Sequence, residues 1–217
     1  MSPDDPDPKS LAAALAALGA ATLGESGATT MPPRIRPVWP GATVAAPAYP
    51  VRCAPGDNLA IHVAVTRAPS GAVLVVDVGD VSDRGYWGEV LTTGALSRGI
   101  GGLVIDGGVR DVAALERLGF PVFARTVALR GATKVERGAI GTVVDVAGVA
   151  VAPGDWVVGD VDGVVIVPGD RVRQVIDAGR ARATAEEAYF AALRSGATTV
   201  DLLGLDASRV VDGGPPD

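Results

Sequence analysis

Residues 88–111 read GEVLTTGALSRGIGGLVIDGGVRD, and the order of residue types along this stretch decides the fold class. Gly88 and Glu89 open an amphipathic run that predicts a helix to about Ser97. GGLVIDGG then reads as a buried strand, because Leu103, Val104 and Ile105 form an apolar run bounded by glycine. The strand runs into Arg110 and Asp111. A strand with this ending aims a guanidinium and a carboxylate into one crevice, and α/β proteins bind ligands at the carboxyl ends of parallel strands. Arg grips a planar carboxylate with two parallel hydrogen bonds. Asp offers hard oxygen to a divalent cation. The pair suits an anionic oxo-acid bound beside a metal.

Working outward, GAVLVVDVG (residues 71–79) predicts another buried strand. VAALERLG (112–119) predicts a helix and FPVFAR (120–125) a short strand. The resulting β-α-β-α-β order over residues 72–125 implies a parallel α/β core. Upstream, LAAALAALGAAT predicts a helix capped by Ser10, with Leu11, Leu15 and Leu18 on one face, ending between Gly24 and Gly27. ATVAAPAYPVRC predicts an edge or irregular strand, because prolines interrupt it. LAIHVAVTRA is ambiguous in period, with a short helix preferred. Beyond Val143, three Val-rich segments separated by Gly, Asp and Pro predict antiparallel hairpins. GDRVRQVIDAGRARATAEEAYFAAL follows as a long helix, with Asp170 as its N-cap. Residues 1–9 read as a disordered tail, 10–205 as a single domain and 206–217 as a frayed end.

Composition bounds the function. The 217 residues carry a formal charge of -6, with 48% hydrophobic and 4% aromatic residues. A buried sheet of small β-branched side chains follows, and a nucleic-acid backbone is a poor ligand for so acidic a chain. Lys9 falls in the tail, which leaves Lys134 for any Schiff base, but it stands in a polar stretch where a nucleophilic lysine is not activated. Cys53 is the sole cysteine, so no internal disulfide forms, and His62 is the sole histidine, so no multi-histidine zinc site forms within one chain. No run reaches membrane-spanning length and the acidic, Pro-rich start is no signal peptide, so the cytoplasm is expected.

Other candidate motifs read more simply. Asp77, Asp80 and Asp83 lack the glycine and distal glutamate of a calcium loop and read as loop solvation. Asp160 and Asp162 shape a hairpin. The glycines of GIGGLVIDGG precede the strand, whereas a dinucleotide fingerprint needs them after it. Gly107 and Gly108 allow a close backbone approach. Glu89 has two readings: a favourable charge at a helix N-terminus, or a proton-handling group beside free amides that bind an anion.

WGEVLTTGALSRGIGGLVIDGGVRD resembles the class II 4-hydroxy-4-methyl-2-oxoglutarate aldolases and their relatives, the regulator of ribonuclease activity A (RraA-like) proteins. PGDNLAIHVAV, FPVFAR and APGDWVVGDVDGVVIVP extend the likeness over roughly residues 10–200. The family pattern is an acidic residue, twenty residues, then Arg-Asp, matched here by Glu89, Arg110 and Asp111. The resemblance implies an α/β/β/α sandwich of the swivelling phosphohistidine-domain type. It also implies a homotrimer or a hexamer of paired trimers, with sites at the subunit interfaces. Arg110 and the amides of Val90 and Leu91 would bind the substrate carboxylate. Asp111 would hold Mg2+ or Mn2+, largely through waters. Glu186 or Glu187, from the C-terminal helix of the next subunit, would support the water on that metal.

The resemblance therefore implies a metal-dependent lyase. It would cleave a 4-hydroxy-2-oxo acid to pyruvate and a carbonyl product, and would decarboxylate oxaloacetate. Glu89 stands where the aldolases often have Asp, which moves the charge by a methylene. Two rivals remain. One is a protein-binding regulator of the ribonuclease E type; the other is a pyruvate-dependent aldolase with an unusual acceptor. Methyltransferase activity has no support, since no glycine-rich cofactor loop follows the first strand.

Overall fold

The computed structural model describes residues 7–211 and 213. Its elements in chain order are α1 (Pro8–Gly24), β1 (Thr29–Thr30), β2 (Arg36–Pro37), β3 (Val44–Arg52), α2 (Leu59–Arg67), β4 (Val73–Asp77), β5 (Gly85–Trp87) and α3 (Glu89–Ser97). They continue with β6 (Gly102–Val109), α4 (Val112–Arg117), β7 (Val122–Val127), β8 (Ala139–Ile140), β9 (Val144–Val146), β10 (Val149–Val151), β11 (Trp156–Asp160), β12 (Gly163–Val167), α5 (Val172–Arg194) and α6 (Thr199–Leu202).

The main sheet runs β1-β12-β11-β3-β4-β6-β7-β2, with β5 added beside β6 and β8 beside β3. β3, β4, β6 and β7 pair in parallel, as the β-α-β-α-β reading predicts. β11 and β12 form an antiparallel hairpin that joins β3. The sheet curls, so its two halves face each other and three apolar clusters arise. On the outer face of the parallel half, Ile61, Ala64, Leu91, Ala95 and Leu115 from α2, α3 and α4 cover Leu74, Val76, Leu103 and Ile105. Between the halves, Val73, Val75, Val104 and Phe123 meet Val157, Val164 and Ile166, with the β9–β10 hairpin closing the layer. Outside the antiparallel half, Leu15 and Leu23 of α1 and Val175 and Ile176 of α5 pack on Trp156, Val158 and Val165. The molecule is an α/β/β/α sandwich, in keeping with the expectation.

Several local expectations need correcting. β3 is not an edge strand. Its first half pairs with β11 and its second half with β4, and because neither ladder runs its whole length, Pro47 and Pro50 are tolerated inside the sheet. α1 begins at Pro8, with Asp7 at the N-cap, so Ser10 lies inside it and Pro8 and Lys9 belong to the helix. Gly19 breaks that helix at φ 75°, and the Asp160 carboxylate accepts the next amide, Ala20 N–H, at 2.7 Å. A 3-10 turn (Gly169–Arg171) precedes α5, so Asp170 is not its N-cap. The Val-rich region contains four strands rather than three segments, because Ala147 and Gly148 turn between β9 and β10. The expected tails fall partly outside the described residues, at 1–6, 212 and 214–217. Ala207–Arg209 forms a 3-10 turn within the segment expected to fray.

Arg34 clamps the loop between β1 and β2 onto β6 through two hydrogen bonds to Asp106, at 3.1 and 3.0 Å. Among the described residues no helix is long and apolar enough to cross a membrane.

Candidate active site

The crevice forms where β5 and β6 end side by side. β6 is buried along its length, so its last residues are held by the sheet while Arg110 and Asp111 emerge from it. Gly107 and Gly108 explain the tight exit. A Cβ on Gly108 would stand 2.5 Å from Arg84 O, and one on Gly107 2.9 Å from Val78 Cγ2, so the close approach is to the chain's own segments. The Arg110 amide donates to Trp87 O at 2.9 Å and locks the two strand ends together.

Asp111 then adopts the left-handed conformation, φ 57° and ψ 36°, uncommon for a residue with a side chain and best tolerated by Asn and Asp. The turn swings its carboxylate back to the start of α3, where Oδ2 accepts Glu89 N–H at 3.0 Å. The geometry needs Gly88, since a Cβ there would lie 2.4 Å from Asp111 Oδ2 and 3.1 Å from Arg110 Cγ. Arg110 Nε lies 3.9 Å from Asp111 Oδ2, and both side chains keep over 40% of their surface exposed. The Trp87 indole stacks on Phe120 with ring centroids 5.6 Å apart and donates to Thr92 Oγ1 at 2.7 Å, fixing the β5–α3 junction.

A cleft of about 200 Å³ opens here, lined by Gly88, Val90, Leu91, Arg110, Asp111, His62 and Lys134 among others. Four of the expected site residues, Val90, Leu91, Arg110 and Asp111, are thus brought together. The amides of Val90 and Leu91 belong to the first turn of α3, where helical N–H groups lack an intrahelical acceptor and favour an anion.

Glu89, read as either a helix-terminus charge or a proton-handling group, divides its polar groups between two partners. Its amide serves the site, but its carboxylate turns to Arg117 of α4 and accepts from Nη2 at 2.7 Å. Glu186 pairs with Arg182 one turn earlier on α5, and Arg182 also pairs with Glu25. α5 packs on α1, so within one chain neither Glu186 nor the exposed Glu187 lines the cleft.

His62 and Lys134 were not singled out for this site by sequence. α2 carries His62, and its register follows from Asn58, whose amide Nδ2 donates to Tyr86 O at 2.8 Å. Lys134 is delivered by a loop that Asp57 ties down. The buried Asp57 carboxylate accepts from Leu59 N–H, Val135 N–H, Glu136 N–H and Thr133 Oγ1. Burial would raise the Asp57 pKa, but these four bonds outweigh it and hold the group below the usual carboxylate range. His62 is pushed below the ordinary imidazole value, first by desolvation and then by Lys134, with Asp57 opposing. Burial likewise raises the Cys53 thiol to about 12, which leaves it inert. The one sequence signal for the second cleft wall was PGDNLAIH itself, with an acidic turn and a histidine one helical turn beyond Asn58.

The donor set suits one kind of cation. Among the described residues Asp111 is the sole carboxylate lining the cleft, and no three His, Cys, Asp or Glu side chains gather as a metal centre. A magnesium-like ion keeps several waters and accepts one or two carboxylates, so a single exposed aspartate at an open mouth fits it.

The family model described as RraA-like, Aldolase/RraA, matches residues 16–166. The chain belongs to the Aldolase/RraA family. A protein of Halalkalibacterium halodurans named "Putative 4-hydroxy-4-methyl-2-oxoglutarate aldolase" is 35% identical over 133 residues, 61% of this chain and 63% of the relative. The match thus spans less than two thirds of that relative's length. An uncharacterized protein of Pseudomonas syringae superposes with a TM-score of 0.78 at 29% identity, covering 89% of this chain and 92% of the other. A Streptomyces coelicolor protein described as an unusual member of the RNase ES inhibitor RraA family superposes at 0.71 with 26% identity, covering 85% and 96%.

Proposed function

We propose that this member of the Aldolase/RraA family is a divalent-metal-dependent lyase. It cleaves a 4-hydroxy-2-oxo acid of the 4-hydroxy-4-methyl-2-oxoglutarate type to pyruvate and a carbonyl product, and it decarboxylates oxaloacetate. The observation that carries this reading is the meeting of Arg110, Asp111 and the first turn of α3 at one cleft.

Each group has a task there. The Arg110 guanidinium, with no ion pair shorter than its 3.9 Å approach to Asp111 among the described residues, is available to grip the C1 carboxylate. The amides of Val90 and Leu91 receive the same anion. Lys134, whose ammonium meets a single carbonyl, Ala132 O at 3.3 Å, adds a second positive charge to the cleft lining and suits a dianion. Asp111 would hold Mg2+ or Mn2+, and a bound ion supplies Lewis-acid stabilisation of the charge that develops at the C2 oxygen. Trp87 and Leu91 add buried apolar surface to the cleft lining.

Exposed apolar groups around the cleft fit an assembled form of the protein. Val90, Leu129 and Val135 are 82%, 83% and 76% exposed, large apolar groups on the cleft's own segments and the loop that frames it. A homotrimer or a hexamer would cover them and would be the means by which Glu186 reaches a neighbour's cleft. The regulator reading draws on the RNA-processing inhibitor names of some RraA structures, such as that from Thermus thermophilis. The uncommitted Arg110 beside an open carboxylate favours the enzyme.

Pyruvate release from 4-hydroxy-4-methyl-2-oxoglutarate and from oxaloacetate tests the proposal, first with magnesium and then with excess chelator. Release that the chelator abolishes is expected for both. No release from either, with folded protein and several divalent metals, overturns the lyase reading in favour of a binding protein.

A further inference from the structure

The C-terminal segment and one groove on the body are both left uncovered, and each has what the other lacks. α5 buries Val172, Val175, Ile176 and Gly179 and no residue beyond them. The remaining helix to Arg194 carries the chain roughly 22 Å past that contact. α6 and the 3-10 turn that follows it bury no residue. Val200, Leu203, Leu205, Val210 and Val211 are between 40% and 92% exposed there. Asp201 lies among them with no ion pair among the described residues, its carboxylate meeting the Thr198 hydroxyl at 2.6 Å. A run of exposed apolar side chains marks a contact surface. The segment falls outside residues 16–166, which carry the family match.

The groove lies between α2 and residues 135–140. It has a volume of about 330 Å³, with Val63, Val135 and Ile140 in its apolar lining. It is preformed. Asp57 accepts the amides of Val135 and Glu136, and a Cβ on Gly138 would stand 2.6 Å from Ala60 Cβ, so the segment is held against α2. Arg67 and Arg137 line the same groove, and neither has an ion pair or a side-chain hydrogen bond among the described residues. Glu136 offsets one of them and leaves the rim net positive. Among the described residues no part of the C-terminal segment lines the groove, so the chain does not fill it itself.

We propose that this groove receives the C-terminal segment, residues 199–211, of a second copy of the chain. Val200 and Leu203, three apart on one side of α6, enter between α2 and residues 135–140 as an apolar helix face enters a groove. Asp201 meets the arginine rim. Charge of this kind selects the partner more than it tightens the contact. The occupant is a second copy because α5 holds the segment away from its own body, tied to α1 by the Arg182–Glu25 ion pair. An apolar segment with a free carboxylate and an apolar groove with two free guanidinium groups then cover one another. The contact is independent of the reaction assigned to the cleft.

Disulfide crosslinking of the full chain tests it. Cys53 is the sole cysteine and is buried, so an introduced pair reports cleanly. Val63→Cys with Leu203→Cys, under oxidising conditions, should give covalent oligomers on a non-reducing gel. Neither substitution alone should do so, nor should Leu203→Cys with Ala13→Cys, which places the second thiol on α1. Adding Arg67→Glu and Arg137→Glu to the first pair should slow crosslinking about tenfold or more, and Asp201→Lys in that background should recover it. None of these positions is buried, and circular dichroism checks that each variant folds. A disulfide within one chain, no crosslink, or crosslinking as fast from Leu203→Cys alone or through Ala13→Cys overturns the proposal. So does a rate indifferent to the rim charges. A monomeric mass in sedimentation at the same concentration overturns it as well, since no second copy is then docked.

Discussion

The turn that ends β6 and the turns that bracket β11 and β12 use the same residue types, glycine with aspartate, but their carboxylates have different fates. Asp155 spends both oxygens on the backbone, accepting Ala152 N–H at 2.8 Å and Gly169 N–H at 3.1 Å. Asp160 does the same with Asp162 N–H at 2.9 Å and Ala20 N–H at 2.7 Å. Asp111 accepts one amide, Glu89 N–H, and keeps 42% of its side-chain surface open to the cleft. A carboxylate saturated by amides closes a loop, whereas one left partly unsatisfied beside a guanidinium remains able to bind. The backbone differs accordingly: Asp111 carries a left-handed conformation that the other two lack.

The largest effects should separate these two kinds of aspartate. Asp111→Ala and Arg110→Ala are each expected to reduce pyruvate release by about 10³-fold or more, since each removes a charged group aimed at developing charge. Thermal unfolding should stay near wild type. Asp155→Ala should do the reverse, costing about 1–3 kcal/mol in denaturant unfolding while kcat/KM is preserved. Near-normal turnover in either cleft variant would mean that Asp111 is a loop-closing aspartate like Asp155 and Asp160.

Asp57 tests a mixed case, a saturated carboxylate that also presents a functional loop. Asp57→Ala strips the partners from two loop amides, the Leu59 amide and the Thr133 hydroxyl, and should destabilise the fold by about 3 kcal/mol. The effect should depend on pH with a definite sign. The folded-state pKa of Asp57 is depressed. Its contribution is therefore fully present above the unfolded carboxylate value of about 4 and is lost as pH falls through the folded value. Urea midpoints of wild type and variant, measured at neutral pH and again near pH 3, should converge in acid. A gap that is unchanged or wider in acid would contradict the hydrogen-bonded carboxylate.

Gly88→Ala probes geometry rather than charge. The added Cβ must displace the Asp111 carboxylate, the nearest atom at 2.4 Å. A displacement near 1 Å at a reacting group costs about 10²-fold in rate. Turnover should fall by about that factor with little change in thermal midpoint, because the backbone at Gly88 is extended (φ -170°) and carries no strain for a side chain. Half-maximal activity should also require a higher metal concentration than in wild type.

What the sequence displays and what it hides follow from the range of the interactions. The parallel core was legible because uninterrupted apolar runs such as Val73–Val76 and Leu103–Ile105 have few other solutions. Arg110 and Asp111 were legible because they follow such a run directly. The misplaced boundaries at Ser10 and Asp170 arose where a second capping candidate or a 3-10 turn lay within three residues. Lys134 was hidden for another reason. Its place depends on Asp57 hydrogen bonds that reach 78 and 79 residues along the chain, and a local reading sees a lysine in a polar stretch. His62 was hidden because its helix register is set by Asn58 bonding to Tyr86, a contact across 28 residues. The β3 prolines misled because proline argues against a central strand only when the ladders on both sides are continuous.

The smallest expected effect concerns Glu89, where sequence pattern and observed contact pull apart. Its pairing with Arg117 is a surface contact, with the two side chains 49% and 63% exposed, and such pairs contribute under about 1 kcal/mol and weaken with salt. Arg117→Ala should therefore leave stability almost unchanged. Its value lies in freeing the Glu89 carboxylate while the amide, held by Asp111, stays in place. If that carboxylate takes no part in proton transfer, pyruvate release should stay within about threefold of wild type and the pH profile should keep its shape. A tenfold change, with the acidic limb of the profile displaced, would mean that Glu89 swings between α4 and the cleft. It would then join Asp111 among the carboxylates left open for chemistry.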